Sequence, residues 1–363
     1  MIVYQSWFFS KSKKAVRQLE YHFNGNLNFR VGLKDGKYHG FSQSWWQKGR
    51  PKSEGDYHHG MQEGKWEFYN EKTGGLVSRG LFSQGKKKGK WMEFWPNKQV
   101  RASGTYDQGV KTGLWISWDS TGRLREKNSC FESSDTGSYV SYHANDSIHT
   151  QYDCEKGLPR GAYTVKSPEG RLLEEGSYDP GGKKKGTWKI WHSNASPASY
   201  NFFKDGLQHH RSRTWDSLGN LLSEGDFNLG TGRLKRYFPG GQLLASEEYQ
   251  RGLKHGNHVT YYHSGAKKSH IVYNKGTAQT FKRWHNASGS GTPVLALTGM
   301  YKQGKRHGTW NWYSDKGRLV ESAGYVDGKR HGPTRYFDSK NGKLYRTQMF
   351  KRGVETKAML ARP

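Results

Sequence analysis

A motif of about 24 residues recurs along most of this chain and constrains its fold more than any other feature. The clearest copy is residues 309–332, with the sequence TWNWYSDKGRLVESAGYVDGKRHG. The same order of an aromatic run, a glycine turn, a second run and a closing glycine returns in residues 65–89, 90–113 and 233–256. About thirteen or fourteen copies can be counted, so the fold must be one small unit stacked many times.

Each copy has the pattern of a β-hairpin. In the clearest copy, glycine-bearing turns at residues 315–317 and 327–328 bound short runs of the length typical of strands. Trp310 and Trp312 have the same parity and would share one face of a strand. A lone hairpin is barely stable in water, so the units must pair with their neighbours. The sequence therefore predicts an all-β fold, an elongated, twisted antiparallel sheet of about 13 to 14 hairpin repeats.

The repeats also predict how the chain is organised. Residues 1–20 are expected to form an N-terminal cap or a degenerate repeat, and residues 21–353 the repeat array. Residues 354–363 would be a C-terminal cap or tail. An insertion at residues 288–292, SGSGT, predicts a lengthened loop within the array.

A glycine stands two residues before an aromatic residue in many copies. These glycines are Gly55, Gly80, Gly104, Gly176, Gly225 and Gly299. Since glycine has no side chain, we expect an aromatic ring from an adjacent strand to lie flat on the backbone there. The chain is only 32% hydrophobic but 14% aromatic, so the rings would form the core of a thin sheet.

These residues resemble the MORN repeat, and more closely its bacterial variant. In that variant a Trp or Tyr strand leads to an Asn-Gly or Lys-Gly turn, a Leu, a Gly-x-Tyr and a closing Gly-Lys-x-x-Gly. The resemblance covers nearly the whole chain. It implies a twisted antiparallel sheet used as a scaffold or docking surface, sometimes at membranes and sometimes as an antitoxin. Such proteins often carry an additional catalytic or membrane domain, for which this sequence leaves no room.

The chain is strongly basic, with 59 Lys and Arg against 31 Asp and Glu and a net charge of +28. Many of the cations fall in the closing turn of a repeat, which hairpin geometry would bring to one edge of the sheet. The predicted basic edge consists of Lys37, Lys86, Lys87, Lys88, Lys111, Arg160, Lys183, Lys184, Lys185, Lys254, Lys305, Arg306, Lys329 and Arg330. We expect this edge to bind a polyanion or an acidic partner, with solubility and edge protection as the alternative.

The sequence predicts no catalytic residue, metal site or cofactor. It lacks a Walker loop, a GxSxG motif, a CxxC pair and zinc-finger spacing. Four histidines precede a closing glycine and are expected to be spread along one edge: His39, His255, His307 and His331. Adjacent histidines such as His58 and His59 would point to opposite faces of a strand. Three glutamates are expected to be cross-strand partners of lysines: Glu54, Glu175 and Glu224.

The two cysteines, Cys130 and Cys154, occupy different positions in neighbouring repeats, which favours two free thiols over one bridge. The first residues contain no apolar run of signal-peptide length, and no segment is apolar for the length of a membrane span. We therefore expect a cytoplasmic protein, either free or peripheral to a membrane.

The function expected from these features is a non-enzymatic scaffold or adaptor that docks a macromolecular partner, foremost a protein with an acidic surface. Three alternatives stay open. One is sequence-nonspecific nucleic-acid binding through phosphates. Another is peripheral binding to anionic lipid. The last is antitoxin-like neutralisation of a partner protein. An array with open ends could also self-associate end to end.

Overall fold

The computed structural model describes residues 2–9, 15–286 and 293–360. The insertion predicted at residues 288–292 lies outside the described residues. The described residues form strands and turns, with no helix among them. The predicted fold class, an all-β array of antiparallel hairpins, is confirmed. The chain divides into two units, Met1–Lys183 and Lys184–Pro363, and each is described separately.

In the first unit every strand pairs antiparallel with the next strand in the chain. The strands are β1 (Ile2–Phe9), β2 (Ala15–His22), β3 (Leu27–Lys34), β4 (Lys37–Trp45), β5 (Pro51–His58), β6 (Met61–Tyr69), β7 (Leu76–Ser83), β8 (Lys86–Phe94), β9 (Val100–Asp107), β10 (Val110–Trp118), β11 (Leu124–Asn128), β12 (Thr136–Tyr142), β13 (Ile148–Glu155), β14 (Leu158–Lys166) and β15 (Leu172–Tyr178).

The second unit follows the same rule, except that β17 pairs with both β18 and β19. The strands are β16 (Lys184–Trp191), β17 (Pro197–Lys204), β18 (Leu207–Gln208), β19 (His210–Trp215), β20 (Leu221–Asn228), β21 (Thr231–Tyr237), β22 (Leu243–Gln250), β23 (Leu253–Tyr261), β24 (Lys267–Asn274), β25 (Thr277–Trp284), β26 (Leu295–Lys302), β27 (Lys305–Tyr313), β28 (Leu319–Val326), β29 (Lys329–Phe337), β30 (Leu344–Lys351) and β31 (Val354–Leu360).

The closing turn of a repeat is shorter than the sequence interpretation assumed. Between β7 and β8 it consists of Gln84 and Gly85, with φ values of 51° and 77°. Two successive residues with positive φ make a tight hairpin turn whose twist matches that of the strands. Ser83 and Lys86 are therefore already paired. The cations that were predicted to lie in closing turns belong instead to the first three residues of the following strands, except Lys183, which directly precedes β16.

Aromatic rings on one face of each sheet, called here the ring face, form the core. In the first unit Trp66, Phe82, Trp91 and Trp115 make one buried cluster. In the second unit Leu297, Trp310, Ala323 and Tyr325 make another. The rings pack edge to face, as between Phe82 and Trp91 with centroids 5.3 Å apart. A sheet without a second layer thus buries large rings against its own strands.

The expected contact between glycine and ring is confirmed at four positions. The rings of Trp66, Trp91, Trp115 and Trp310 occupy the space beside Gly55, Gly80, Gly104 and Gly299, respectively. At Gly225 the expectation is wrong, because that space is filled by Phe227 of the same strand. The residue opposite Gly225 on β21 is Leu234, which is too small to replace a Trp ring.

The expectation of two free thiols is also wrong, because Cys130 and Cys154 form a disulfide with Cα atoms 5.7 Å apart. Strand β11 ends at Asn128, and the side chain of Asn128 accepts a hydrogen bond from the Cys130 N–H at 2.8 Å. The segment after β11 leaves the strand ladder, so Cys130 does not keep the repeat position that its sequence number suggests. The bridge ties this segment to β13, and Phe131 packs on the buried Trp cluster.

Candidate functional site

The predicted basic edge divides between the two faces of the sheet. Strand β8 begins with Lys86, Lys87 and Lys88, of which Lys86 and Lys88 are exposed and Lys87 is half-buried. Successive side chains of a strand point to opposite faces. The second residue after each turn glycine therefore points to the ring face, and the residues on either side of it point away.

The second residue after the turn lies over an aromatic ring in many repeats. We call these residues the capping cations: Lys87, Lys111, Lys184, Lys254, Arg306 and Arg330. The Nζ atom of Lys111 is 4.0 Å from the ring centroid of Trp115. A cation over an aromatic face contributes about 0.5 to 2 kcal/mol. Burial lowers the pKa of Lys87. The capping cations therefore contribute mainly to the packing of the core.

We call the remaining lysines of the predicted edge, in both units, the outer lysines. They are Lys37, Lys86, Lys88, Lys183, Lys185, Lys305 and Lys329. All are exposed, and none forms an ion pair within residues 2–9, 15–286 and 293–360. Some arginines differ, since Arg101 pairs with Glu93 at 2.8 Å and Arg233 with Glu248 at 2.7 Å. The outer lysines thus carry charge that no described carboxylate pairs with.

Two arginines of the predicted edge already form ion pairs with glutamates. Arg160 forms an ion pair with Glu155. Arg330 pairs with Glu321 at 2.6 Å and donates a hydrogen bond to the Tyr336 hydroxyl at 3.0 Å. These two arginines are therefore poorer candidates for partner binding than the outer lysines.

Hydrogen bonds between successive turns fix the spacing of these cations within each unit. The Gly109 N–H donates to the carbonyl of Lys87 at 2.9 Å, and the Gly328 N–H donates to the carbonyl of Arg306 at 2.9 Å. Successive turns are two strands apart, which is about 10 Å. The turn edge is thus a ladder of regular spacing within each unit.

Exposed aliphatic residues share the repeat position of several outer lysines, and sequence reasoning missed them. Met61 is 46% exposed, Val110 52% and Leu253 53%, each directly after a turn glycine. Lys86 and Lys305 occupy the same position in other repeats. Aligning the repeats on the two-residue turn, and not on the closing glycine, would have found them. The turn edge therefore presents both positive charge and apolar surface.

The expectation that His58 and His59 point to opposite faces of a strand is wrong, because their rings meet each other and that of His39. The ring centroid of His39 lies 5.2 Å from that of His58 and 5.8 Å from that of His59. His59 is in a turn with a φ of 50°, so its ring meets that of His58 at 4.4 Å and does not point to the opposite face. Burial, followed by nearby Lys34 and the two histidines, lowers the pKa of His39. Within the described residues no group of three or more His, Cys, Asp or Glu is arranged to hold a metal ion.

Glu54 and Glu224 pair across strands as expected, but their partners are tyrosine, glutamine and arginine and not lysine. The Tyr69 hydroxyl lies 2.7 Å from Glu54 Oε1 and 2.8 Å from Glu67 Oε2. Burial and these two carboxylates raise the pKa of Tyr69. Glu224 accepts hydrogen bonds from Tyr237 at 2.9 Å and Arg211 at 3.3 Å. These carboxylates are held by cross-strand contacts that stabilise the sheet.

The comparisons with known proteins do not assign the chain to a family. No family model matches the chain, and no curated protein matches it. No helix in the part of the chain that the structure describes is long and apolar enough to cross a membrane. The geometry of the turn edge is therefore the basis on which a function is proposed.

Proposed function

We propose that the chain is a non-enzymatic scaffold of the MORN type that docks an acidic macromolecular partner along its turn edge. The observation that supports this most is that the outer lysines of each unit are exposed and form no ion pairs among the described residues. Uncompensated charge of one sign raises the rate of encounter with an oppositely charged partner and orients it.

A protein is favoured as the partner over a nucleic acid. Met61 and Val110 stand at the same repeat position as Lys86, so the edge offers apolar contact between its charges. A protein surface can bury aliphatic side chains in an interface, whereas a charged phosphate backbone makes no favourable contact with them. Nucleic-acid binding is the second candidate, since the outer lysines would also attract phosphates.

The disulfide is relevant to the cellular compartment in which the protein functions. Bridges persist in oxidising compartments and are rare in the cytosol. The Cys130–Cys154 bridge therefore favours an oxidising compartment over the cytoplasmic location expected from the sequence. Trapping free thiols in intact cells with a maleimide reagent tests this proposal. Full labelling of both cysteines would favour the cytosol.

The docking proposal is tested by affinity capture with the wild type and with a variant carrying Lys86→Ser, Lys88→Ser, Lys305→Ser and Lys329→Ser. We expect the wild type to retain protein partners after nuclease treatment and to release them at high salt. The variant should lose the same partners. Loss of every partner on nuclease treatment would favour nucleic acid, and identical capture by both proteins would refute a role for the outer lysines.

A further inference from the structure

A cavity of about 290 Å³ opens in the second unit where the ring face meets the turn edge. Its walls include the side chains of Phe203, Leu207, Phe227, Leu234 and Tyr249. Its floor and rim include backbone of the turn glycines Gly206, Gly230 and Gly252. In a regular repeat a cation covers a Trp ring near the turn edge, as Arg306 covers Trp310.

The cavity arises because the hairpin of β20 and β21 is short. The turn glycine Gly230 is four residues before Leu234, whereas Gly304 is six residues before Trp310. The β20–β21 register is unbroken, whereas the β26–β27 register shifts between Thr298 and Met300. The short hairpin therefore lacks the irregularity, the large ring and the cation of a regular repeat.

Two features of this hairpin keep the cavity open. The second residue after its turn is Gly232, which has no side chain to cover the ring face. The ring of Phe227 lies against Gly225 of its own strand and meets Tyr249 at a centroid distance of 6.2 Å. Gln208, the second residue after the turn glycine Gly206, also lines the cavity.

We propose that this cavity receives one aromatic side chain carried by the docked partner. The proposal rests on the proposed function, because the occupant arrives on a protein. At about 290 Å³ the cavity lies at the lower end of the range for ligand pockets, roughly 300 to 1,000 Å³, and has room for one aromatic ring. Its walls are mainly aromatic and aliphatic, which favours a ring that packs edge to face. Buried aromatic anchors in such pockets carry much of the energy of protein interfaces.

The surroundings of the cavity fit an acidic segment on either side of that aromatic residue. Lys204 follows the lining residue Phe203, Asp205 precedes Gly206, and Arg251 precedes Gly252, so the cations outnumber the carboxylate at these positions. Both cations are exposed, and neither forms an ion pair within the described residues. An aromatic residue flanked by carboxylates therefore matches both the cavity and its rim.

The test uses two fluorescent peptides, EEEWEEE and EEEAEEE, and a neutral probe, 5-fluoroindole. We expect the wild type to bind the Trp peptide about tenfold more tightly than the Ala peptide, the effect of one modest anchor. Leu234→Trp, which fills the cavity, should abolish that difference. Leu218→Trp is the matched control, because Leu218 is 87% exposed and its replacement leaves the cavity empty.

The neutral probe separates this proposal from the proposed function. Saturable binding of 5-fluoroindole, followed by fluorine NMR and lost in Leu234→Trp, supports the cavity without any contribution from charge. If the two peptides bind weakly and equally while 5-fluoroindole binds in this way, the acidic-partner proposal fails and the aromatic site stands. Equal peptide affinities together with no saturable 5-fluoroindole binding would overturn the site.

A second variant guards against misfolding of the filled protein. Leu207→Phe narrows the cavity from the turn side, and circular dichroism would report whether each variant retains its strands. A folded Leu207→Phe protein should also lose preference for the Trp peptide. Undiminished preference in both folded variants would overturn the assignment of the site to this cavity.

Discussion

Trp91 lies flat against the backbone of Gly80, so a β-carbon at residue 80 would overlap the indole ring. The indole N–H donates a hydrogen bond to the carbonyl of Leu81 at 3.0 Å, which fixes the ring on the neighbouring strand. Trp310 and Gly299 repeat this relationship in the second unit. The glycine and the tryptophan are thus one structural element, and neither can be understood alone.

Gly80→Ala is expected to lower the local stability of β7 and β8 by roughly 1 to 3 kcal/mol, because the added methyl group forces the ring from its place. Gly75→Ala is the control, since a β-carbon there would meet only Thr73 Oγ1 at 3.4 Å. Neither glycine has a positive φ, so backbone strain does not separate the two variants. Hydrogen exchange measures the local opening free energy, and equal effects would contradict the account.

Thr334→Val is expected to stabilise β29 by about 1 kcal/mol. Thr334 is fully buried at the repeat position that Trp310 holds, and its hydroxyl has no hydrogen-bond partner among the residues that the structure describes. Such a group costs about 1 to 3 kcal/mol, and valine has nearly the same shape.

The contrast is Ser42→Ala at the equivalent position of β4. The Ser42 hydroxyl donates to the carbonyl of Gly55 at 2.8 Å, so its removal should destabilise the sheet by about 1 kcal/mol. Thermal unfolding of the two variants provides the comparison. A loss of stability in both would show that the Thr334 hydroxyl is satisfied.

His258 should make the stability of the second unit depend on pH. It is buried at the tryptophan position of β23 beside Glu247, and its Nε2–H donates to the carbonyl of Glu248 at 2.7 Å. Burial lowers its pKa below the ordinary value of about 6.5, so the unfolded chain takes up a proton first as the pH falls. The contribution of the neutral, buried His258 side chain to the free energy of unfolding is complete above about pH 6.5 and declines below that pH.

His258→Phe should remove that decline, because a phenyl ring has no proton to gain. The matched control is His263→Gln, which changes an exposed histidine near the end of the same hairpin strand. Unfolding midpoints at a series of pH values between roughly 7.5 and 5 measure the effect. The same pH dependence in His258→Phe as in the wild type would assign it to other groups.

Reduction of the Cys130–Cys154 bridge should destabilise the region from β11 to β13. The bridge spans 24 residues of sequence, and closing a loop of that size stabilises a protein by roughly 2 to 4 kcal/mol. Cys130→Ser with Cys154→Ser should show the same loss without reductant. Thiol titration of the unfolded, non-reduced wild type should find no free thiol, and two free thiols would contradict the bridge.

The hairpin repeat and the contact between Trp and Gly could be predicted from the sequence because each is a local pattern that recurs. The turn boundary was misjudged because the glycine before Trp91, Gly89, marks an irregular point of positive φ within the strand and does not close the turn. That error grouped Lys87 with Lys86, although the two lysines lie on opposite faces.

The bridge and the cavity depend on departures from the repeat. Cys130 was assigned a repeat position by its number, but the short β11 lets the chain leave the ladder before it. The two residues missing between Gly230 and Leu234 are visible in the sequence, yet their consequence is a change of packing on the ring face. A count of repeats treats every copy as the same, so it does not show where one copy departs from the others. The cavity proposed to receive a partner's ring could therefore not be predicted from the repeat pattern.

The outer lysines and the capping cations lead to opposite predictions for two matched variants. The outer variant carries Lys86→Ser, Lys88→Ser, Lys305→Ser and Lys329→Ser. The capping variant carries Lys87→Ser, Lys111→Ser, Lys254→Ser and Arg306→Ser, and loses the same charge. Because the capping cations lie over rings, the capping variant should unfold at a lower temperature, whereas the outer variant should unfold near the wild-type temperature.

The decisive measurement is the affinity of wild type and outer variant for fluorescent poly-glutamate over a range of salt concentrations. Exposed charges are screened over about 8 Å at physiological ionic strength, so wild-type affinity should fall steeply with salt. The outer variant should bind more weakly at low salt and with a shallower dependence, while remaining folded. Equal affinities and equal salt dependence in the two folded proteins would contradict docking through the outer lysines.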